Sequence, residues 1–304
     1  VRVMKSLALA YAYGAEDAKA DSLVEVVLEL TELRHGKESE EFYAALKWAG
    51  DVRMDQSRFA EAEGLLRRAL DGLRSYGEET SRPVTSALHG LAYVCMCLGE
   101  YKEAEGLYRE LRSLYELGGR GKSDSMAALL HGYGILVKNQ GRPAEGARLV
   151  REAIALYEEV AGCRETSRIS GALLDLAYIS YAAGQFAECE EVCRELIAMK
   201  GGYDRIEDYE VREARKILAA TIAGEGALER AEREARAFLE ITRREFGENR
   251  SQTISSLCDV ARLARAQGKY VEEEMLYRRA LSATEKYGSA GGNVQASRPM
   301  PRGG

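Results

Sequence analysis

Residues 116–125 read ELGGRGKSDS, and the Gly-Lys-Ser in this stretch has the residue types of a phosphate-binding loop. Such a loop has the pattern G-x-x-x-x-G-K-[ST], in which backbone N–H groups surround the phosphates and the lysine reaches the terminal ones. The pattern requires a glycine five residues before Gly121, where this chain has Glu116. It also requires a preceding strand, whereas residues 103–117 are rich in helix formers with leucines at helical spacing. The stretch therefore does not predict nucleotide binding.

Two pairs of residues have side chains that could coordinate a metal ion. Cys189 and Cys193 are four residues apart, and His89 and His131 occupy equivalent places in neighbouring repeats. Neither pair has further ligands at the spacing of a zinc site. We therefore expect no metal and no cofactor, with the six cysteines reduced. The sequence contains neither G-x-S-x-G nor H-E-x-x-H, so we predict that the protein is not an enzyme.

Composition limits the fold class and the kinds of partner. Of the 304 residues, 46% are hydrophobic and 30% charged, with only four prolines, and Ala, Leu, Glu and Arg dominate. These values predict a globular, all-α protein. A net charge of −6 argues against nucleic acid as a partner. No apolar run approaches the length of a membrane span, so we expect no membrane insertion and a cytoplasmic location.

A repeat of 42 residues organises the chain. Segments that begin at Leu91, Leu176 and Val260 share an apolar–small pair, a turn followed by an aromatic residue, and an acidic helix. The turn residues recur at intervals of 42, with a single interval of 43; they are Ala15, Ser57, Gly99, Gly141, Gly184, Gly226 and Gly268. Seven repeats are therefore predicted.

A column of small residues stands seven positions before the turn residues. Its members are only alanine or glycine: Ala8, Gly50, Ala92, Gly134, Ala177, Ala219 and Ala261. Such a column indicates that two helix backbones approach closely, because a larger side chain would force them apart. Apolar residues at spacings of three and four on both sides of each turn predict two buried helical stripes. Each repeat is therefore predicted to be a helical hairpin. Cys189 and Cys193 lie in the buried stripe after the turn, so we predict that they are buried apolar residues.

The repeat resembles the tetratricopeptide repeat in its small–aromatic and G-x-[YF]-x-E-A patterns. Residues 76–110 and the segment from Asn139 look like the long repeats of kinesin light chains and nephrocystin-3-like proteins. The resemblance covers about residues 1–287 and implies an all-α, right-handed superhelical solenoid of seven hairpins. In this register the ELGGRGKSDS stretch becomes the turn between two hairpins. Gly118 or Gly119 would end one helix, and Ser123 or Asp124 would cap the next.

The resemblance also implies a concave groove, lined by positions ten, six and three residues before each turn residue. The first of these rows has five Lys or His residues in seven places, whereas the whole chain, with 43 Lys and Arg and 3 His in 304 residues, predicts about one. The candidate groove residues are Lys5, Lys47, Asp51, His89, Tyr93, His131, Lys138, Asn139, Tyr178, Tyr181, Lys216, Arg262 and Arg265.

Positive charge interleaved with tyrosine favours a peptide segment that carries acidic and aromatic residues. We therefore expect a non-enzymatic scaffold or adaptor that binds a protein or peptide partner. An alternative is a sensor or regulatory arm of a larger signalling protein, such as an NTPase whose catalytic domain lies outside this sequence; a first residue other than Met and a linker-like tail favour it. Self-association through the ends of the solenoid is a third alternative.

Two regions are predicted along the chain. Residues 1–287 form the repeat array, and residues 288–304, which are rich in Gly and contain Pro, form a disordered tail.

The small-residue column gives a test of the register. Ala92→Leu should lower the free energy of unfolding by about 1 to 3 kcal/mol, because the larger side chain overpacks the hairpin. Urea unfolding measures this change. An unfolding curve that coincides with that of the unsubstituted protein would contradict the register.

Overall fold

The structure, a computed structural model, describes residues 2–161, 167–205 and 207–296. Within these ranges the chain forms fourteen helices and no strand, which confirms the all-α repeat solenoid of seven hairpins. The chain divides into two compact units, Val1–Gly162 and Cys163–Gly304, which are described separately. In every hairpin we call the first helix the A helix and the second the B helix.

The first unit contains four hairpins. Its helices are α1 (Arg2–Tyr13), α2 (Asp17–His35), α3 (Glu40–Asp55), α4 (Phe59–Tyr76), α5 (Arg82–Leu98), α6 (Tyr101–Leu117), α7 (Asp124–Asn139) and α8 (Pro143–Ala161). Each helix packs against the next one along the chain, and the A helices α1, α3, α5 and α7 also contact one another in order. The unit is therefore a stack of hairpins with its A helices side by side.

The second unit contains three hairpins. Its helices are α9 (Ser167–Ala182), α10 (Phe186–Met199), α11 (Tyr209–Gly224), α12 (Leu228–Phe246), α13 (Ser251–Ala266) and α14 (Tyr270–Ala296). Consecutive helices pack together, and α9 also packs against α11. The last helix therefore includes the first part of the predicted tail, whereas residues 297–304 lie outside the described residues. The domain boundary at residue 287 stays a prediction.

All seven predicted turn residues have a left-handed backbone. The five glycines have φ between 70° and 84°, while Ala15 and Ser57 have φ of 55° and 59° and are the only residues other than glycine with positive φ in the described ranges. This conformation reverses the chain between the A and B helices over very few residues. Glycine adopts it without the steric cost that a Cβ atom imposes.

The small-residue column lies where the two helices of a hairpin touch. A Cβ atom on Gly134 would lie 2.6 Å from Cγ2 of Val150 and 2.9 Å from the carbonyl oxygen of Gly146, on the facing helix α8. A Cβ atom on Gly50 would lie 2.8 Å from Cγ of Leu66. The residues Ala8, Ala92, Ala177 and Ala261 are fully buried. The close helix approach predicted from the sequence is confirmed.

The ELGGRGKSDS stretch connects α6 to α7, as predicted from the repeat register. Gly119 takes the left-handed conformation, with φ of 68°. The Ser123 hydroxyl accepts a hydrogen bond from the Met126 backbone N–H at 3.1 Å and caps α7. Cys189 and Cys193 are fully buried in α10 with free thiols, as their places in the core stripes predicted.

Polar side chains join successive hairpins in a recurring arrangement that we call the repeat clasp. The Gln140 amide donates to the Tyr101 carbonyl oxygen at 3.2 Å and to the Glu105 carboxylate at 2.8 Å, and Arg142 donates to the same carboxylate at 3.0 Å. The Gln and the basic residue stand on either side of the turn residue, and the acid belongs to the preceding B helix. Equivalent clasps consist of Gln56, Arg58 and Asp21, and of Gln267, Lys269 and Glu232.

The clasp acid Glu232 is almost fully buried, with 7% of its surface exposed. The Lys269 ammonium, with support from Arg236 and Gln267, lowers the pKa of this carboxyl to about 2, against the opposing effect of burial. A carboxyl group with a lowered pKa in the folded state stabilises the fold above its unfolded pKa of about 4.5, and this contribution is lost as the pH falls toward 2.

The left-handed turn residues allow a stabilising substitution. Ser57→Gly should raise the free energy of unfolding by up to about 1 kcal/mol, because glycine removes the clash of Cβ at positive φ. The matched change Gly99→Ala should lower it by a similar amount. Both are measured by urea unfolding, and a loss of stability in Ser57→Gly would contradict the role of this turn.

The Glu232 clasp predicts a pH-dependent stability difference. Glu232→Gln should lose up to about 3 kcal/mol of unfolding free energy at neutral pH, since the ionised carboxylate is what Lys269 and Arg236 stabilise. The difference from the unsubstituted protein should shrink below about pH 4.5 and disappear near pH 2. Urea midpoints measured across this range test it. The exposed Glu229→Gln on the same helix is the control, and a difference that does not change with pH would contradict the prediction.

Candidate functional site

The candidate site is the exposed face of the A helices, where the sequence places the thirteen groove residues. On α1 and α3 of the first unit, the Lys5 ammonium lies over the ring of Trp48, 5.1 Å from the ring centroid. Burial lowers the pKa of Lys5, and the nearby Asp51 carboxylate acts in the opposite direction. Lys5 is thus partly packed against an aromatic ring that is itself buried.

Lys47 and Asp51 form an ion pair on the exposed face of α3. Their Nζ and Oδ2 atoms are 2.7 Å apart, and both side chains are partly buried. Burial raises the pKa of Asp51, while the Lys47 and Lys5 ammonium groups lower it. The positive charge that the sequence places here is therefore balanced by a carboxylate one helical turn away.

His89 on α5 joins a stack of aromatic rings between hairpins. Its ring meets Tyr108 of α6 edge-on at 6.2 Å, and Tyr108 stacks on Tyr133 of α7 at 5.6 Å. Burial lowers the pKa of His89, and the positive charge of Lys47 lowers it further. Both effects disfavour the protonated imidazole, and the ring packs against Tyr108.

Among the described residues, neither of the two histidines of the row is part of a group of three possible metal ligands. In the described part of the chain, the one group of three side chains with metal-ligand spacing is Cys95, Glu100 and Glu103, whose ligand atoms lie within 4.8 Å of one another. His131 lies on α7 and is partly buried, and neither His131 nor His89 belongs to that group.

Further along the first unit, Tyr93 on α5 exposes 43% of its surface. Lys138 is partly buried near the end of α7, and Asn139, the last residue of that helix, is exposed. Tyr93 combines a large apolar ring with a polar hydroxyl, which is the kind of side chain that protein-binding surfaces favour.

In the second unit, two tyrosines of α9 lie on the same face. Tyr178 and Tyr181 each expose 40% of their surface. The Tyr178 hydroxyl donates to Oε2 of Glu213 at 2.7 Å, and Lys216 binds Oε1 of the same carboxylate at 2.7 Å. Burial, together with the hydrogen bond to Glu213, raises the pKa of Tyr178. The network fixes the exposed face of α9 relative to α11.

The two arginines of α13 are also paired with acids. Arg262 forms an ion pair with Asp259, and Arg265 lies 3.6 Å from Glu273 of α14. Sequence reasoning counted the basic residues but missed the acids beside them. The spacing of three between Glu213 and Lys216, and between Asp259 and Arg262, is the signal that could have revealed these pairs.

A cavity of about 550 Å³ opens on this face of the second unit. It lies between α11 and α13, with α12 beneath and Tyr181 of α9 at one side. The structure brings the groove residues Tyr181, Lys216 and Arg262 to its wall, whereas Tyr178 and Arg265 are not among its lining residues. Small residues of α11, including Ala220 and Ala223, leave this space; every other repeat has a larger side chain at the position of Ala220, and all but the first have one at the position of Ala223.

Arg215 also lines the cavity, and sequence reasoning missed it. It is buried, with 5% of its surface exposed. It stands eleven residues before the turn residue, in a core column whose other members are Met4, Leu46, Leu88, Leu130, Leu173 and Leu257. A charged residue in a column of apolar ones was therefore visible in the sequence once the register was known.

Comparisons of the sequence and of the structure with known proteins both support the helical-repeat fold. The sequence profile of the tetratricopeptide repeat matches residues 41–116 and 83–159. Over residues 41–159 the chain therefore consists of tetratricopeptide repeats, and its fold resembles that of the repeats of a kinesin light chain. No curated protein sequence matches the chain.

Three solved structures illustrate the likeness in fold. A kinesin light chain from Podosopora anserina with nearly identical TPR-like repeats is 20% identical, with a TM-score of 0.59 over 66% of this chain and 94% of that one. A signal transduction ATPase with numerous domains and a tetratricopeptide repeat sensor, from Pyrococcus horikoshii, is 13% identical, with a TM-score of 0.68 over 96% of this chain and 43% of that one. A Rap protein complexed with competence and sporulation factor is 12% identical, with a TM-score of 0.55 over 89% of this chain and 81% of that one.

Among the described residues, no helix is both long and apolar enough to cross a bilayer.

Proposed function

We propose that this protein is a non-enzymatic interaction scaffold that binds a peptide segment on the exposed face of its A helices. Tetratricopeptide repeats typically serve as interaction modules, and the repeat fold of this chain is shared with a Rap protein complexed with competence and sporulation factor. The observation that carries the proposal is the set of three tyrosines, Tyr93, Tyr178 and Tyr181, each of which exposes about two fifths of its surface on an A helix.

The tyrosines matter more to this proposal than the row of lysines and histidines. Lys47, Lys216, Arg262 and Arg265 each have an acidic partner, so their charge is largely balanced in the unbound protein. An acidic peptide would have to compete with these acids for the basic groups. Exposed tyrosine rings require no such exchange and supply large contact areas at a low cost in side-chain entropy.

The peptide that fits this surface carries aromatic or other apolar residues for contact with the tyrosine rings. Its acidic residues would contact the outer edges of the ion pairs, as at Lys47, where a peptide carboxylate would share the ammonium with Asp51. The charge then contributes to orientation and to the rate of association, while the aromatic contacts supply most of the affinity.

A second candidate function is a sensor arm of a larger signalling protein. The observation that favours it is the likeness to the signal transduction ATPase with a tetratricopeptide repeat sensor, which covers 96% of this chain and 43% of that protein. Peptide binding on the A-helix face would be the sensing event in this case, so the two candidates use the same surface.

The peptide proposal is tested by selecting a random-peptide library on the intact chain and measuring how the enriched peptides bind to variants. Tyr178→Ala and Tyr181→Ala, both on α9 of the second unit, should each weaken binding by at least about tenfold, or 1.4 kcal/mol, because tyrosines at the centre of an interface carry much of its energy. Fluorescence anisotropy with labelled peptides measures the dissociation constants.

Tyr270→Ala is the matched control, since Tyr270 exposes 68% of its surface on the B helix α14. It should leave the affinity unchanged within a factor of about two. Peptides whose binding depends on Tyr270 and not on the A-helix tyrosines would contradict the proposed surface. Circular dichroism of each variant shows that its helices are retained.

A further inference from the structure

The cavity of the second unit contains a buried charge whose position is unusual for this repeat. Arg215 occupies the core column that is filled by Met4 or by leucine in the other six repeats. Burial of a guanidinium costs free energy unless the protein supplies hydrogen bonds and an opposite charge. A leucine at this position would avoid that cost. Stability alone therefore does not explain why the chain has an arginine here.

The immediate surroundings of Arg215 satisfy only part of its hydrogen-bonding capacity. Its Nη1 donates to the Tyr203 carbonyl oxygen at 2.9 Å, and the guanidinium lies over the rings of Tyr203 and Phe238 at 5.2 and 4.8 Å. A guanidinium has five N–H donors. Within the described part of the chain Arg215 has no ion pair; Glu234 and Asp204 act on it only at longer range, and burial lowers its pKa.

The other charged groups at the cavity are already compensated. Lys216 is paired with Glu213, and Arg262 is paired with Asp259. Arg215 is therefore the positive charge at this cavity that lacks a close carboxylate among the described residues. Among the described residues, Oδ2 of Asp259 is buried without a hydrogen-bond partner. Because this carboxylate would repel a further negative charge, a ligand with a second anionic group would be unfavourable.

Apart from Tyr181 and Ser256, the rest of the cavity wall is apolar, and many of its residues are small. Ala219, Ala220 and Ala223 of α11 face Leu263 of α13, and Phe238 of α12 lies beneath. A volume of about 550 Å³ falls in the range of pockets that bind small organic molecules. Apolar walls with one buried cation suit a ligand that has an apolar body and one anionic group.

We propose that this cavity binds a small organic acid with one carboxylate and an apolar body, and that Arg215 holds the carboxylate. The carboxylate supplies the opposite charge that Arg215 lacks and accepts its remaining N–H donors. The apolar body fills the space between α11 and α13. Arg215 is then the residue that determines specificity for an acid over a neutral molecule of the same shape.

A small molecule fits this cavity better than a peptide that passes through it. The lining residues come from four helices, α9, α11, α12 and α13, so the cavity has walls on several sides. The carboxylate site is deep, at a residue with 5% of its surface exposed. The cavity shares Tyr181, Lys216 and Arg262 with the A-helix face, but acid binding is measured without any peptide, so failure of this proposal and failure of the peptide proposal are distinguishable.

The experiment compares three acids of different shape with their amides on the full chain. The pairs are 3-phenylpropanoate and 3-phenylpropanamide, octanoate and octanamide, and indole-3-acetate and indole-3-acetamide. NMR spectra of ¹³C-methyl alanine report binding at Ala219, Ala223 and Ala235, which line the cavity, with Ala172 and Ala177 of α9 as internal controls. At least one acid should shift the cavity signals and bind about tenfold or more tightly than its amide, since the amide leaves Arg215 unpaired.

Arg215→Leu restores the residue type of the other repeats. It should abolish the preference for the acid, and its melting temperature should equal or exceed that of the unsubstituted protein, because a buried charge is replaced by a side chain that the column accepts. Arg215→Met, which copies the first repeat, provides the same comparison if the leucine variant does not fold. Arg233→Leu, at an exposed position of α12, removes a positive charge elsewhere and should leave the acid preference unchanged.

Four results would overturn the proposal. The first is the absence of a shift in the cavity alanine signals with any of the acids at millimolar concentration. The second is equal affinity for acids and amides. The third is an unchanged acid preference in Arg215→Leu together with a lower melting temperature, which would assign Arg215 the structural role of holding Tyr203. Arg215-dependent binding of a library-selected peptide with no binding of the acids would likewise replace the small acid by a peptide.

Discussion

The close approach of the two helices in each hairpin is the contact on which the rest of the structure depends. At Gly134 the facing backbone is so near that a single added Cβ atom would lie 2.9 Å from the Gly146 carbonyl oxygen. This approach holds the hairpin together and requires a sharp reversal between its helices, which the left-handed turn residues provide. Because the same spacing recurs in every repeat, each hairpin offers its neighbour a surface of similar shape.

Polar groups on the repeats mostly bind partners within or next to their own hairpin. The clasp at Glu105 and Gln140 joins two hairpins through a partly buried carboxylate, and Lys47 binds Asp51 within one helix. Such pairing leaves the A-helix face with less free charge than a count of basic residues indicates. Recognition on this face then depends more on exposed aromatic rings than on net charge.

Arg215 differs from the other charged residues of the cavity wall in its position and in its lack of a close acidic partner among the described residues. It replaces an apolar residue in the core column, and its charge has no close carboxylate in the described part of the chain. Residues that weaken a fold without an evident structural gain are found at functional sites, since stability and function make different demands on the same position. The cavity beside Arg215 arises from the same repeat, where small residues occupy the positions that face α13.

The sequence alone determined the period, the hairpins and the turn positions, because these depend on spacings within one repeat. It also contained local pairs such as Asp259 with Arg262, which are three residues apart, and the charged residue Arg215 in an otherwise apolar core column. Counting basic residues alone revealed neither of these features. Only the tertiary structure decided which distant side chains meet: Lys5 lies over Trp48, Tyr178 binds Glu213, and α11 and α13 leave a cavity between them. These contacts depend on how one hairpin packs on the next. That packing is set by many side chains at once, so no single spacing in the sequence records it.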